Sequence, residues 1–101
     1  MRAITADSLP AGVLEVCETW ARLIVATRKA QGLTQDELRQ DAGISRSTLV
    51  EIEAGSPRVQ FAHWLVVLDR LDLLDAFRSV PAAQLSAIAS AVKLPSRRRH
   101  G

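Results

Sequence analysis

Cysteine and histidine are scarce in this 101-residue sequence, which has one cysteine, two histidines and no tyrosine. Cys17 has no second cysteine to form an intrachain disulfide, and this fits a reducing compartment. No pair of Cys or His residues has the spacing of a metal site. A Gly-rich phosphate loop and a nucleophile with a nearby base are also missing. We therefore expect no catalytic site, no metal and no cofactor.

Long apolar runs and a signal peptide are missing as well. Hydrophobic residues make up 48% of the chain, but they are dispersed and never reach the ~18 residues of a membrane helix. The N-terminus has no basic segment followed by an apolar one. We expect a cytoplasmic protein that does not bind membranes, with one domain and a small core of its own.

Charge is distributed unevenly along the chain. The sequence carries 13 Lys and Arg against 11 Asp and Glu, a net charge of +2. Residues 93–101 hold four of the cations and no acid, so residues 1–92 carry nine cations against 11 acids and a net charge of −2. The basicity belongs to the C-terminal end, and the overall charge is weak support for nucleic-acid binding. The local placement of cations is stronger support for nucleic-acid binding than the overall charge.

The most informative stretch begins with a helix-start signal. Thr34 and Glu37 lie three residues apart, which is the spacing of a capping box. The pattern predicts a helix from Gln35 to about Asp41. Gly43 follows, and glycine readily takes the positive φ that a tight turn requires.

A second short helix is predicted directly after this turn, with Ser45 as its N-cap. The two helices share one apolar cluster, formed by Leu38, Ala42, Ile44, Leu49 and Ile52. Two short helices joined by a three-residue turn over such a cluster are typical of a helix-turn-helix.

This stretch resembles the Xre/Cro-type (lambda-repressor-like) helix-turn-helix family. The resemblance covers about residues 20–71 and is carried by Gly32–Gln35, Glu37–Leu38, Ala42–Leu49, Ile52–Glu53 and Gly55. In that family a five-helix domain dimerises on operator DNA. The resemblance implies a compact, all-α, five-helix lambda-repressor-like domain. The pattern of the C-terminal residues adds an amphipathic helix and a disordered basic tail to this expectation.

The outer face of the second helix is where we expect DNA bases to be read. A helix with exposed N-terminal residues fits the major groove, where each base pair shows a distinct pattern of donors and acceptors. Arg46 can pair with guanine, Glu51 can accept from cytosine, and Val50 can contact a thymine methyl. The expected base-reading residues are Ser45, Arg46, Ser47, Val50 and Glu51.

Phosphate contacts are expected around the same motif, from helix N-termini and from the loop after the second helix. These residues are Thr34, Gln35, Thr48, Ser56, Arg58 and Arg28. For Arg28, simple solvation remains an equal alternative.

Three residues depart from the family pattern: Arg39 replaces a small residue between the helices, and Val50 and Glu51 replace residues that are often polar or basic. The base preference of the family therefore cannot be transferred to this sequence.

Helices are also predicted on both sides of the motif. Apolar residues at spacings of three and four predict an amphipathic helix from about Pro10 to Ala30. Its apolar side consists of Val13, Val16, Cys17, Trp20, Leu23, Ile24 and Thr27. A fourth helix, from about Gln60 to Leu71, is expected to bury Phe61, Trp64, Leu65, Leu68 and Leu71.

The C-terminal third is predicted to hold a short fifth helix, capped by Asp72 and ending before Pro81, and a last helix over 82–93. The expected domains are the DNA-binding domain (1–80, with the helix-turn-helix at 34–54), the C-terminal helix (81–94) and a disordered basic tail (95–101). Contacts with a second copy or another partner are expected from Leu73, Leu74, Phe77, Leu85 and Ile88. Packing of the fifth helix within its own core is the alternative.

Two functions remain open. The first is a sequence-specific transcriptional regulator, expected to be a repressor, that binds double-stranded operator DNA as a homodimer. The second is an antitoxin-type protein that binds and neutralises a toxin. The segment from Gly55 through Phe77, followed by a short helix and an Arg-rich end, looks like regulators encoded beside HipA-like kinase toxins. Such antitoxins also bind their own operators, so the two functions are compatible.

Overall fold

The computed structural model describes residues 8–92, the side chain of Val92 excepted, and this part of the chain forms five α-helices and no strand. They are α1 (Ala11–Ala30), α2 (Gln35–Ala42), α3 (Arg46–Glu53), α4 (Phe61–Arg70) and α5 (Asp75–Val92). The predicted all-α, five-helix fold is confirmed. The predicted basic tail lies outside the described residues. No helix within 8–92 is long and apolar enough to cross a bilayer.

The core lies where α2 and α3 pack against α1 and α4. Its buried apolar residues are Ala21, Ile24, Leu38, Ile44, Leu49, Ile52, Trp64, Val67, Leu68 and Leu71. The apolar cluster predicted for the helix-turn-helix is part of this core, with Ala42 partly buried at its edge. The core therefore fixes α3 from its inner side.

Helix α1 has the predicted bounds, but less of it is buried than expected. Its buried residues are Ala21, Ile24 and Arg28, all in the second half of the helix. In the first half, Val13 and Val16 are 43% and 56% exposed. The first half of this 20-residue helix therefore contributes no buried residue to the core.

Helix α4 buries Trp64, Val67, Leu68 and, at its end, Leu71, which is a stripe at spacings of three and four. The expected burial of Phe61 is wrong, because this residue begins the helix and 63% of it is exposed. The Phe61 ring contacts the edge of Phe77 instead, with ring centroids 5.9 Å apart.

The expected role of Asp72 as a helix cap is also wrong. Asp72 has a φ of 63° and ends α4 rather than starting α5. Its N–H donates to the carbonyl of Asp69, and the N–H of Leu73 donates to the carbonyl of Leu68. This is the Schellman arrangement, in which a left-handed residue satisfies the last carbonyls of a helix. Asp72 occupies a position that glycine usually fills.

Helix α5 does not end before Pro81, contrary to our prediction. It runs for 18 residues with Pro81 inside, so the predicted fifth and last helices are one element. The proline has no N–H to donate to the carbonyl of Phe77, which removes one helical hydrogen bond. The following Ala-rich segment consists mainly of good helix formers and continues the helix beyond that defect. The boundary proposed between residues 80 and 81 therefore falls within a helix.

Candidate nucleic-acid interface

The first helix of the motif starts at a complete capping box. The Thr34 hydroxyl accepts the N–H of Glu37 at 3.1 Å, and the Glu37 carboxylate accepts the N–H of Thr34 at 2.8 Å. At the other end, Gly43 has a φ of 74°, in the left-handed region that the turn requires. Both predicted signals are confirmed. They fix the start of α2 and the direction in which the chain enters α3.

The second helix starts at Ser45, as predicted. The Ser45 hydroxyl accepts the N–H of Thr48 at 3.1 Å and donates to the Thr48 hydroxyl at 2.8 Å. The Ser47 hydroxyl lies 3.2 Å from the Ser45 hydroxyl. Capping therefore occupies the Ser45 hydroxyl, which counts against its predicted role in base reading. The Thr48 hydroxyl retains its own proton for donation to a phosphate.

The end of α3 approaches α1 closely at Gly55. This residue is buried and has a φ of 80°. A Cβ at this position would lie 3.3 Å from the Cα of Glu18. Any side chain here would meet both the backbone of α1 and an unfavourable φ. Gly55 thus allows the chain leaving α3 to pass directly over α1.

A buried ionic network connects the first three helices. Arg28 of α1 donates from Nε and Nη2 to the Glu53 carboxylate of α3, at 2.7 and 3.1 Å, and from Nη1 to the carbonyl of Leu33 at 2.9 Å. Gln35 of α2 donates to the same carboxylate at 2.8 Å. The Arg28 and Glu53 side chains are only 11% and 7% exposed. The network fixes the position of α3 relative to α1 and α2.

This network determines what Arg28 and Gln35 can contribute to a phosphate contact. All three nitrogens of the Arg28 guanidinium are engaged inside the protein, which counts against the predicted phosphate contact. The Gln35 side chain is half-buried and donates to Glu53. Its backbone N–H, in the first turn of α2, points out of the helix end and remains suited to an anion. Glu53 was not among the expected site residues, and it holds the side chains of two of them, Arg28 and Gln35.

The expected base-reading residues are exposed on α3 and at its N-cap. Ser45, Arg46, Ser47, Val50 and Glu51 are all exposed, and Val50 is 46% exposed despite its apolar side chain. The opposite face carries Leu49 and Ile52, which are fully buried. All five side chains are therefore accessible, four on α3 and Ser45 at its N-cap, with one cation and one acid among them.

Arginine pairing distinguishes this surface from the rest of the described chain. Seven arginines lie between residues 8 and 92. Four form salt bridges with a carboxylate, and Arg22 donates to the Thr19 hydroxyl. Arg46 and Arg58 have neither kind of partner among residues 8–92. Both are exposed: Arg46 begins α3 and Arg58 lies in the segment that follows it.

That segment also holds Ser56, whose hydroxyl accepts the N–H of Arg58 at 3.2 Å. Ser56 is half-buried and keeps its own proton for donation. The predicted phosphate contacts Thr48, Ser56 and Arg58 thus lie on α3 and the segment after it, while Thr34 and Gln35 lie at the start of α2.

The residues expected to contact a partner fall into two groups. Leu73, Leu74 and Phe77 are half-buried, and Phe77 packs on Trp20 with ring centroids 4.6 Å apart. Leu85 and Ile88 are 59% and 50% exposed on the second half of α5. Leu73 and Phe77 of the first group pack against the core. Leu85 and Ile88 are not part of that core.

A capped helix, a left-handed turn and a second helix with an exposed outer face together define a helix-turn-helix domain. Comparison with known proteins agrees, since residues 21–99 match the family described as "Helix-turn-helix domain". The chain belongs to this family.

One relative is the uncharacterized HTH-type transcriptional regulator y4mF of Sinorhizobium fredii (strain NBRC 101917 / NGR234). It is 43% identical over 49 residues, which cover 48% of this chain and 64% of that protein. The aligned region thus spans less than two thirds of the relative. No solved structure matches the chain.

Proposed function

We propose that this protein is a sequence-specific DNA-binding transcriptional regulator that places α3 in the major groove. The observation that carries the proposal is the pair of exposed arginines, Arg46 and Arg58, at the helix-turn-helix. Every other arginine from residue 8 to residue 92 has a carboxylate or hydroxyl partner. An arginine without an internal partner keeps its donors for guanine or phosphate. The name of the related protein supports the same function.

The two arginines have different roles in this proposal. Arg46 lies in the first turn of α3, the part of a recognition helix that reaches base edges. Arg58 lies beyond the end of α3, beside Ser56, and contacts the DNA backbone. The first turn of α2 contributes backbone N–H groups to a phosphate on the near strand. Specificity then depends mainly on Arg46, with Ser47, Val50 and Glu51 as further base contacts.

We propose that the regulator acts as a homodimer in which the exposed face of α5 contributes to the contact. Val80, Leu85 and Ile88 are 57%, 59% and 50% exposed. Three large apolar residues at this level of exposure on one helix favour a protein interface. A dimer would present two α3 helices to half-sites one DNA turn apart, and linking them multiplies the affinity of a single site. Occupancy of an operator would then block transcription sterically.

A toxin partner is the alternative occupant of the same exposed face of α5. An antitoxin would cover Leu85 and Ile88 with another protein while α3 still binds the operator. Molecular mass in solution distinguishes the two cases. The homodimer predicts twice the chain mass for the purified protein and a loss of dimer in the double variant Leu85→Glu/Ile88→Glu. A wild-type monomer would favour the toxin-partner alternative.

Selection from a pool of random duplexes tests the DNA-binding proposal without knowledge of the operator. We expect enrichment of an inverted repeat with half-site centres about 10 base pairs, or one helical turn, apart. The Arg46→Ala variant serves as the matched control, because it should lose preference at one position of each half-site. A pool that shows no enriched sequence after repeated rounds would contradict the proposal.

A further inference from the structure

An apolar cavity of about 290 Å³ lies between α1, α4, α5 and the segment that joins α3 to α4. Every Trp and Phe residue of the chain lines it: Trp20, Phe61, Trp64 and Phe77. The α3–α4 segment contributes Pro57 and Val59 to the opposite wall. Phe61 remains 63% exposed beside it, so the ring has an uncovered apolar surface.

The size and lining of the cavity define the ligand that fits. A protein cavity of ~150 Å³ with apolar walls admits benzene, so this one offers about twice that space. None of its lining residues carries a charge, and the lining is predominantly apolar. Aromatic walls favour a flat aromatic guest through stacked or edge contacts. An uncharged molecule with two aromatic rings matches all three properties.

A second copy of the chain matches this surface less well. Glu15 and Glu18 flank Val16 and Cys17 along α1, and both glutamates are exposed. Val16 and Cys17 line the cavity. A second copy packed over this face would cover these carboxylates with an apolar surface, and burial of a charge without a partner opposes association. The uncharged lining and the exposed glutamates beside it therefore favour a small neutral guest over another copy.

We propose that this cavity is a binding site for a small uncharged aromatic ligand that acts as an effector. The segment 56–60 forms part of the cavity wall through Pro57 and Val59, and it also carries Ser56 and Arg58, two of the proposed phosphate contacts. A ligand that moves Pro57 and Val59 apart from α1 also moves Arg58. Regulation of DNA affinity rests on the proposed function, whereas ligand binding itself does not.

The binding test uses the full chain without DNA and 2-naphthol as the probe. Trp20 and Trp64 are the two tryptophans of the protein and both line the cavity, so their indole N–H resonances report occupancy directly. Val16→Phe fills the cavity from α1, and Cys17→Met is a second filling variant. Val13→Phe is the matched control, because Val13 is also an exposed valine of α1 but does not line the cavity.

We expect saturable shifts of both indole signals in the wild-type protein and in Val13→Phe, and an affinity at least about tenfold lower in the two filling variants. Shifts that do not saturate, or that are equal in Val13→Phe and Val16→Phe, would mean surface adsorption and overturn the proposal. Indole signals that change on dilution without probe, and do so also in Leu85→Glu/Ile88→Glu, which lacks the proposed α5 contact, would identify a second copy as the occupant and overturn it as well.

Operator binding with and without 2-naphthol tests the coupling separately. We expect the probe to change the affinity of the wild-type protein severalfold and to leave that of Val16→Phe unchanged. An unaltered wild-type affinity, together with saturable binding in the absence of DNA, would overturn the effector role alone. A protein that binds the probe but no DNA would contradict the proposed function and leave the binding site intact.

Discussion

Arg28 and Glu53 form a two-point ion pair across 25 residues of sequence, with Nε–Oε2 and Nη2–Oε1 distances of 2.7 and 3.1 Å. The pair is almost completely buried. Glu53 is the last residue of α3, so the pair joins the end of that helix to α1. Gln35 completes the arrangement from the start of α2. The Glu53 carboxylate therefore ties the end of α3 to both bracing helices, in addition to the apolar core that holds its inner face.

Removal of the Glu53 carboxylate should destabilise the fold strongly. Glu53→Ala leaves a buried guanidinium without its partner, and we expect the free energy of unfolding to fall by about 3–5 kcal/mol. Urea denaturation of the variant and of the wild-type protein measures this. The matched control is Asp41→Ala, which breaks the exposed pair with Arg70 and should cost at most about 1 kcal/mol. Equal losses in the two variants would contradict the assigned role of Glu53.

Arg46→Ala should weaken binding to the cognate site by about 1–3 kcal/mol and relax preference at one base position. The reason is the loss of a two-donor contact to guanine. Competition between cognate and scrambled duplexes measures the preference. Arg78→Ala removes the same charge from α5, where Arg78 pairs with Asp75 on an exposed surface, and should leave the preference unchanged. An unaltered ratio of affinities in Arg46→Ala would exclude Arg46 as a base reader.

Deletion of residues 97–99 should reduce affinity for all DNA sequences alike. Three arginines that contact phosphates displace counterions, so their loss lowers the slope of log affinity against log salt by up to about 3. Titrations at several salt concentrations measure the slope for the wild-type and truncated proteins. If the slope does not change, the basic end does not contact phosphate and contributes to solubility instead.

Asp72→Gly should stabilise the protein. Asp72 has a φ of 63°, and glycine takes that conformation without the steric penalty of a Cβ. We expect a gain of about 0.5–1 kcal/mol, visible as a higher Tm in thermal unfolding. Asp72→Val provides the opposite case, because a β-branched residue is strained at positive φ. A lower Tm for Asp72→Gly would show that the aspartate side chain makes a contribution larger than the strain.

The parts of the fold that sequence analysis predicted correctly are those encoded by neighbouring residues. The capping box of Thr34 and Glu37, the turn at Gly43 and the Ser45 cap each involve groups within four positions of one another. Such signals are readable because the donor, the acceptor and the turn residue recur at fixed spacing. The helix-turn-helix and its buried cluster follow from them.

The parts that were predicted wrongly depend on distant contacts or on competing local preferences. Nothing near Arg28 in the sequence indicates that it will be buried in an ion pair with Glu53. Phe61 fits the apolar spacing of α4, but its exposure depends on which elements reach the first turn. Pro81 is a local stop signal, and the helix-forming segment after it outweighs that signal. Asp72 is a common cap residue that here takes the left-handed conformation at a helix end.

The most direct test of the central claim is a titration of a labelled duplex from the region upstream of the gene with purified protein. It uses physiological salt and an excess of random DNA as competitor, and it records affinity and stoichiometry together. The account predicts tight binding of two chains per site and a loss of preference in Arg46→Ala. Binding no better than to the random competitor would contradict the account and favour a protein whose main partner is another protein.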